Sequence, residues 1–191
     1  SRMEAMLHES GLTNLQVINL GKEAASLNHF LVYLDPLLSA VNPKAVVLSS
    51  ITNEYLSGRG MRHVFLGYMG NHEWVAPPYN DEIESYRWRL EEFVRICKHH
   101  GVPVVLVEEP MDRYFFGYNP VNRFQQTLQE IAQRENLPIV MLQEDYDRDP
   151  GRFLFYEFIH QTFIGYQMMA DRIFDALLPI LQSNQAKPIT D

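Results

Sequence analysis

The sequence predicts an α/β protein: three layers, α/β/α, around a parallel, doubly wound, flavodoxin-like sheet. Three observations carry this. Short β-rich runs alternate with helical stripes along the whole chain. The runs at 44–51 and 102–110 are apolar without a break, as in strands buried on both faces. Strand–helix alternation of this kind builds crossovers between parallel strands, with helices covering the sheet.

The elements follow in order. "LQVINL" (15–20) reads as a strand and "SLNHFLVYLDPLLSAV" (26–41) as a helix capped by Ser26. Pro36 is expected to kink or split that helix, because proline costs a helix interior about 3 kcal/mol. "KAVVLSSI" (44–51) is the second strand. Residues 52–79 are rich in glycine and aromatics and lack a clear period, the mark of a functional loop or of small elements. "NDEIESYRWRLEEFVRICKHHG" (80–101) is the clearest helix, with Asn80 as its cap and acids in its first turn. His99 and His100 complement its C-terminal dipole, and Gly101 ends it. Its stripe is Ile83, Tyr86, Leu90, Phe93, Val94 and Cys97.

"VPVVLVEEP" (102–110) is the third strand. A helix at about 120–136 follows, with Phe124, Leu128, Ile131 and Ala132 inward. "LPIVMLQ" (137–143) is the last strand and "EDYDRDPGR" a polar loop. The terminal helix, about 163–182, carries Tyr166, Ala170, Ile173, Phe174, Leu177 and Leu181 on its inner stripe. The expected organisation is one domain, 1–183, with a frayed tail, 184–191.

Composition narrows the function. A net charge of −8 with scattered basic residues argues against a nucleic-acid partner. No apolar run approaches the ~20 residues of a membrane-spanning helix. The single cysteine, Cys97, rules out an internal disulfide framework and a cysteine-based zinc cluster, and its stripe position makes it a core residue. His63 and His72 lack a convergent third ligand, so no metal and no cofactor is expected. Trp74, Tyr79 and the aromatics of "YFFGY" fit partly in the core and partly along an acyl or sugar pocket. The sequence has no GxSxG, Walker, GxGxxG or HExxH motif. Ligands in parallel sheets bind beyond the carboxyl ends of the strands. Asn53 and His160 fall at two such ends.

The ordered segments "QVINLG", "PKAVVLSSITNEY", "GVPVVLVEEP" and "YEFIHQTFIGYQMMADRIFDAL" resemble the SGNH (GDSL-like) hydrolase superfamily over nearly the whole chain. The resemblance implies a serine esterase or acyl-transfer domain of that fold, acting on small acyl esters, with carbohydrate esters among them. Asn53 of "ITNEY" matches the family's oxyanion asparagine, with Glu54 in place of the usual aspartate and Ile51 in place of glycine. His160 matches the catalytic histidine, and "HQTFIGY" its continuation through Gly165 and Tyr166. Glu157 stands where the family has the orienting aspartate, and Ala24 stands near the glycine whose backbone N–H serves the oxyanion.

No Gly-Asp-Ser or Gly-Ser-Ser block is present, so the nucleophile implied is Ser1, read as the serine of a Gly-x-Ser-Arg variant. The strand that precedes that block in the family has no counterpart here. It is expected from an upstream or separate segment, or else the sheet is rearranged. The altered blocks keep a second reading open, a non-catalytic member that binds carbohydrate or a partner protein. A flavodoxin-like regulatory domain is a third, without the acidic cluster or phosphate loop it needs.

Overall fold

Strand β2 (Val104–Glu108) runs through the middle of the sheet, and all five of its residues are buried. It pairs with β1 (Val46–Ser49) on one side and β3 (Ile139–Met141) on the other, both in parallel. Leu48 lies opposite Leu106, and Leu106 opposite Ile139. The computed structural model describes residues 1–21, 25–57, 80–111, 122–148, 154–155 and 160–185, except the side chains of residues 53, 56, 57, 184 and 185.

The two-residue period of β2 builds the layers. Val104 and Leu106 face one core, together with Leu27, Leu38, Tyr86, Leu90, Phe124 and Leu128. Val105 and Val107 face the other, with Leu7, Tyr146, Leu177 and Leu181. The first core is covered by α2 (Leu27–Leu31), α3 (Leu34–Val41), α5 (Asn80–His99) and α6 (Asn122–Glu135). The second is covered by α1 (Arg2–Glu9), α7 (Gln143–Arg148) and α8 (Phe163–Gln185). A short helix, α4 (Ile51–Ser57), leads out of β1. This is the three-layer α/β sheet that the alternation predicted.

The predicted stripe of α5 is buried at all six positions. Its end is a Schellman turn: Val102 N–H donates to Cys97 O at 2.9 Å and Gly101 N–H to Lys98 O at 3.0 Å, with Gly101 at φ +66°. The same turn closes α6, but there Asn136 holds the left-handed position at φ 52°. Phe124, Leu128, Ile131 and Ala132 of α6 are inward as predicted. The helix expected over 26–41 is split into α2 and α3, and Pro36 lies in the first turn of α3, where its missing N–H has no partner to lose.

Six expectations need correction. Residues 15–20 form no strand: Val17, Ile18 and Leu20 are exposed, and no described strand lies alongside to complete a ladder. The Asn19 side chain instead accepts from Gly21 N–H at 2.9 Å, a local turn. β1 is less buried than its apolar run implies. Only Leu48 is fully inside, because α8 lies over β2 and β3. Asn80 is the first helical residue of α5 rather than its cap. The "polar loop" after β3 contains α7, with Glu144 and Asp145 in its first turn and Arg148 in its last, charges that suit the helix dipole. Tyr166 is exposed, while Leu177 and Leu181 of the predicted stripe are buried. Finally, α8 continues to Gln185, beyond the predicted start of the tail. Residues 186–191 lie outside the described residues.

Candidate active site

The carboxyl ends of the three strands are tied together by side chains. Glu109, just past β2, accepts from Ser49 Oγ and from Thr52 N–H, both at 2.6 Å. This joins the exit of β2 to the exit of β1. Gln143, just past β3, is buried and grips Met111 twice: its Oε1 accepts from Met111 N–H at 2.8 Å and its Nε2 donates to Met111 O at 3.0 Å. Gln125 Nε2 donates to Glu109 O at 2.9 Å. The rim is therefore a set of cross-braced exits.

Asn53 follows the exit of β1, in the first turn of α4. The next residue, Glu54, is buried. One of its oxygens accepts from Leu27 N–H at the start of α2, and the other from Arg89 Nη2 of α5 at 2.5 Å. Glu54 thus fastens α4 to the segment that follows residues 22–24. There Ser26 N–H donates to His29 Nδ1 at 3.2 Å, which closes the entry to α2. Tyr86 is buried beside this pair. Burial pushes its phenol far above the usual range, and the nearby Glu109 and Glu54 carboxylates add to the effect.

His160 is exposed and lies two residues before the cap of α8. Thr162 is that cap: its Oγ1 accepts from Gly165 N–H at 3.3 Å, and its own N–H donates to Leu154 O at 2.8 Å. Phe155 and Gln161 form an antiparallel bridge. The Tyr146 hydroxyl of α7 donates into this turn, 2.9 Å from Gln161 Oε1 and 2.8 Å from Gly165 O. Because α7 leaves the carboxyl end of β3, these contacts tie the turn after His160 to the exit of β3.

Ser1 lies at the start of α1. It caps α1, with its Oγ accepting from Glu4 N–H at 3.2 Å. Its neighbour Arg2 donates to the Asp171 carboxylate of α8 through Nε and Nη2, in three contacts. Ala24 and Glu157 lie outside the described residues, as do His63, His72, Trp74, Tyr79 and "YFFGY". Among the described residues no three His, Cys, Asp or Glu side chains are grouped to hold a metal ion, and no helix is long and apolar enough to cross a membrane. Cys97 is buried and its thiol is pushed up to about 12 by that burial, so it is inert at neutral pH.

Sequence reasoning passed over the residues that brace this rim, namely Glu54, Glu109, Gln143, Tyr146 and Gln161. Their one signal is position, since each is a polar side chain within a few residues of a strand end or a helix start.

A three-layer α/β arrangement with a parallel sheet, its strand carboxyl ends braced by side chains, is a doubly wound α/β fold. More narrowly, the chain has the fold of the SGNH (GDSL-like) hydrolases. It is similar to the crystal structure of the acetyl xylan esterase AlAXEase, with a TM-score of 0.68 and 15% identity over 92% of this chain and 88% of that one. It is similar to a lipase/acylhydrolase from Enterococcus faecalis, with a TM-score of 0.70 and 19% identity over 92% and 82%. It is also similar to TesA, with a TM-score of 0.67 and 16% identity over 94% and 86%. No protein-family model and no curated protein matches the sequence, so the likeness is one of fold.

Proposed function

We propose that this chain is a serine-dependent esterase or acyl-transfer domain acting on small, acetyl-like acyl esters, with carbohydrate-borne esters as the favoured class. The observation that supports this is an SGNH-type fold in which Asn53 begins the helix after β1 and the turn after His160 is bonded to the helix after β3. Support for the substrate class comes from the acetyl xylan esterase among the structural neighbours.

In this reading a serine hydroxyl oxygen attacks the ester carbonyl and His160 takes its proton. The Asn53 side-chain amide and the Ala24 backbone N–H donate to the oxyanion of the tetrahedral intermediate. Collapse expels the alkoxide, which receives the proton from His160 and leaves an acyl-enzyme. Water or a second alcohol then takes the acyl group by the reverse relay. Glu157 accepts from the other ring nitrogen of His160, holds its tautomer and stabilises the imidazolium. Ser1 is the nucleophile this reading assigns, and taking that role requires it to share the hydroxyl that caps α1.

The test is hydrolysis of p-nitrophenyl acetate by the full chain. His160→Ala is expected to abolish turnover, and Asn53→Ala to lower kcat about 100- to 1,000-fold. Undiminished activity in His160→Ala rejects the proposal. A fluorophosphonate probe, mapped by peptide mass spectrometry, identifies the reactive serine. Label on Ser1 upholds its assignment, and label elsewhere moves it. The missing Gly-Asp-Ser block favours a second reading, a binding domain of the same fold for carbohydrate or a protein partner. Absence of any labelled serine supports that one.

A further inference from the structure

The support behind His160 is more built than an ordinary loop requires. The histidine is exposed, but the residues behind it are not: Tyr146, Leu154, Gln161 and Gly165 are all buried. Residues of α7, residues 154–155 and the first turn of α8 meet there. They approach so closely that a Cβ on Gly165 would stand 2.6 Å from Leu154 O and 3.1 Å from the Tyr146 hydroxyl. Only glycine fits that crossing.

We infer that Tyr146 is a positioning residue for His160, its buried hydroxyl locking the turn that presents the imidazole by bonding at once to Gln161 Oε1 and Gly165 O. The inference rests on the catalytic reading of His160. Gln161 is the next residue in the chain, one Cα step of ~3.8 Å away. Its backbone is bridged to Phe155 and its side chain is held by Tyr146. With both held, His160 has a fixed root on the exposed side of the turn. The one hydroxyl proton is shared between two acceptors, so removing it takes a partner from both ends of the turn. The aromatic ring has its own packing partner in Phe155, at 5.1 Å between centroids, and that contact survives loss of the hydroxyl.

Tyr146→Phe in the full chain is the test, with two readouts. The first is steady-state hydrolysis of p-nitrophenyl acetate. The second is the ring nitrogen resonances of His160 in histidine-labelled protein, assigned by their loss in His160→Gln. A misplacement near 1 Å costs up to about 100-fold in rate, so kcat is expected to fall about 10- to 100-fold with KM within twofold. The His160 ring signals are expected to shift toward a different tautomer balance. Support requires both changes. If the folded, active variant keeps wild-type kcat, or loses kcat with unmoved His160 signals, the inference is overturned. If the wild-type chain hydrolyses no ester, the proposed function fails on its own account. The imidazole signals then decide whether Tyr146 holds His160: moved signals uphold it and unmoved signals overturn it. Should Tyr146→Phe fail to fold, Gln161→Met removes the acceptor from the other side and is read the same way.

Discussion

The two flanks of the rim are held by different chemistry. On the Asn53 side the brace is an ion pair between the buried Glu54 and the part-buried Arg89, and the carboxylate also receives the first N–H of α2. On the His160 side the brace is neutral, a phenol hydroxyl bonded to an amide and a carbonyl. A buried charge is tolerated only while its partner is present, so its support fails abruptly. A neutral hydrogen bond that is lost leaves groups that cost less to bury unpaired. The Asn53 flank is thus the more brittle of the two, and the His160 flank the more adjustable.

That contrast is open to experiment. Glu54→Ala leaves the part-buried Arg89 guanidinium without its carboxylate and is expected to cost about 3 kcal/mol, read from the denaturant midpoint. A loss below about 1 kcal/mol would mean that the ion pair is not what holds that flank. Gly165→Ala attacks the other flank through shape rather than polarity. Its Cβ meets a backbone oxygen that cannot swing aside, and about 1–3 kcal/mol of stability is expected to go. Tyr146→Phe removes only the neutral bonds and is expected to cost about 1–2 kcal/mol in the same assay. If it matches Glu54→Ala, the contrast between the flanks collapses.

The tyrosines also set an alkaline limit. Burial raises the Tyr146 phenol above its usual range, with Tyr166 nearby adding to it, and Tyr86 is raised likewise. Above a pH of about 10 the unfolded chain gives up these protons and the folded chain keeps them. Stability is therefore complete below pH ~10 and falls as pH climbs toward the raised folded values. Melting temperatures between pH 9 and 11 should fall less steeply in Tyr146→Phe than in the wild type.

The parts of the fold that were legible in the sequence are those where one physical signal dominates. The α5 stripe from Ile83 to Cys97 and the α6 stripe from Phe124 to Ala132 have a helical period that nothing else in the chain imitates. The central strand was legible because an apolar run such as "VVLV" is stable only between two layers. Residues 15–20 misled because strand propensity is a statement about a surface to join, and the described sheet offers none beside them. Residues 143–148 misled because a helix of six residues has little room for a stripe. Its signals were the Glu144 and Asp145 opening and the Arg148 close. For the candidate site, the places of Asn53 and His160 after strands are what the sequence offers. The braces were not legible, because which polar side chain becomes buried depends on what folds over it. Glu54 meets Leu27 and Arg89 across 27 and 35 residues of sequence, and no local pattern encodes such a meeting.

The solitary thiol of Cys97 has a practical consequence. Burial holds its thiol well above the usual range, and the sulfur is shut inside the first core. The natural chain is therefore silent toward maleimide and iodoacetamide reagents without any cysteine being removed. A substitution such as Phe163→Cys, at an exposed position three residues from His160, would be the one addressable handle in the molecule. A fluorophore or spin label attached there would report on the mouth of the candidate site from an otherwise natural protein.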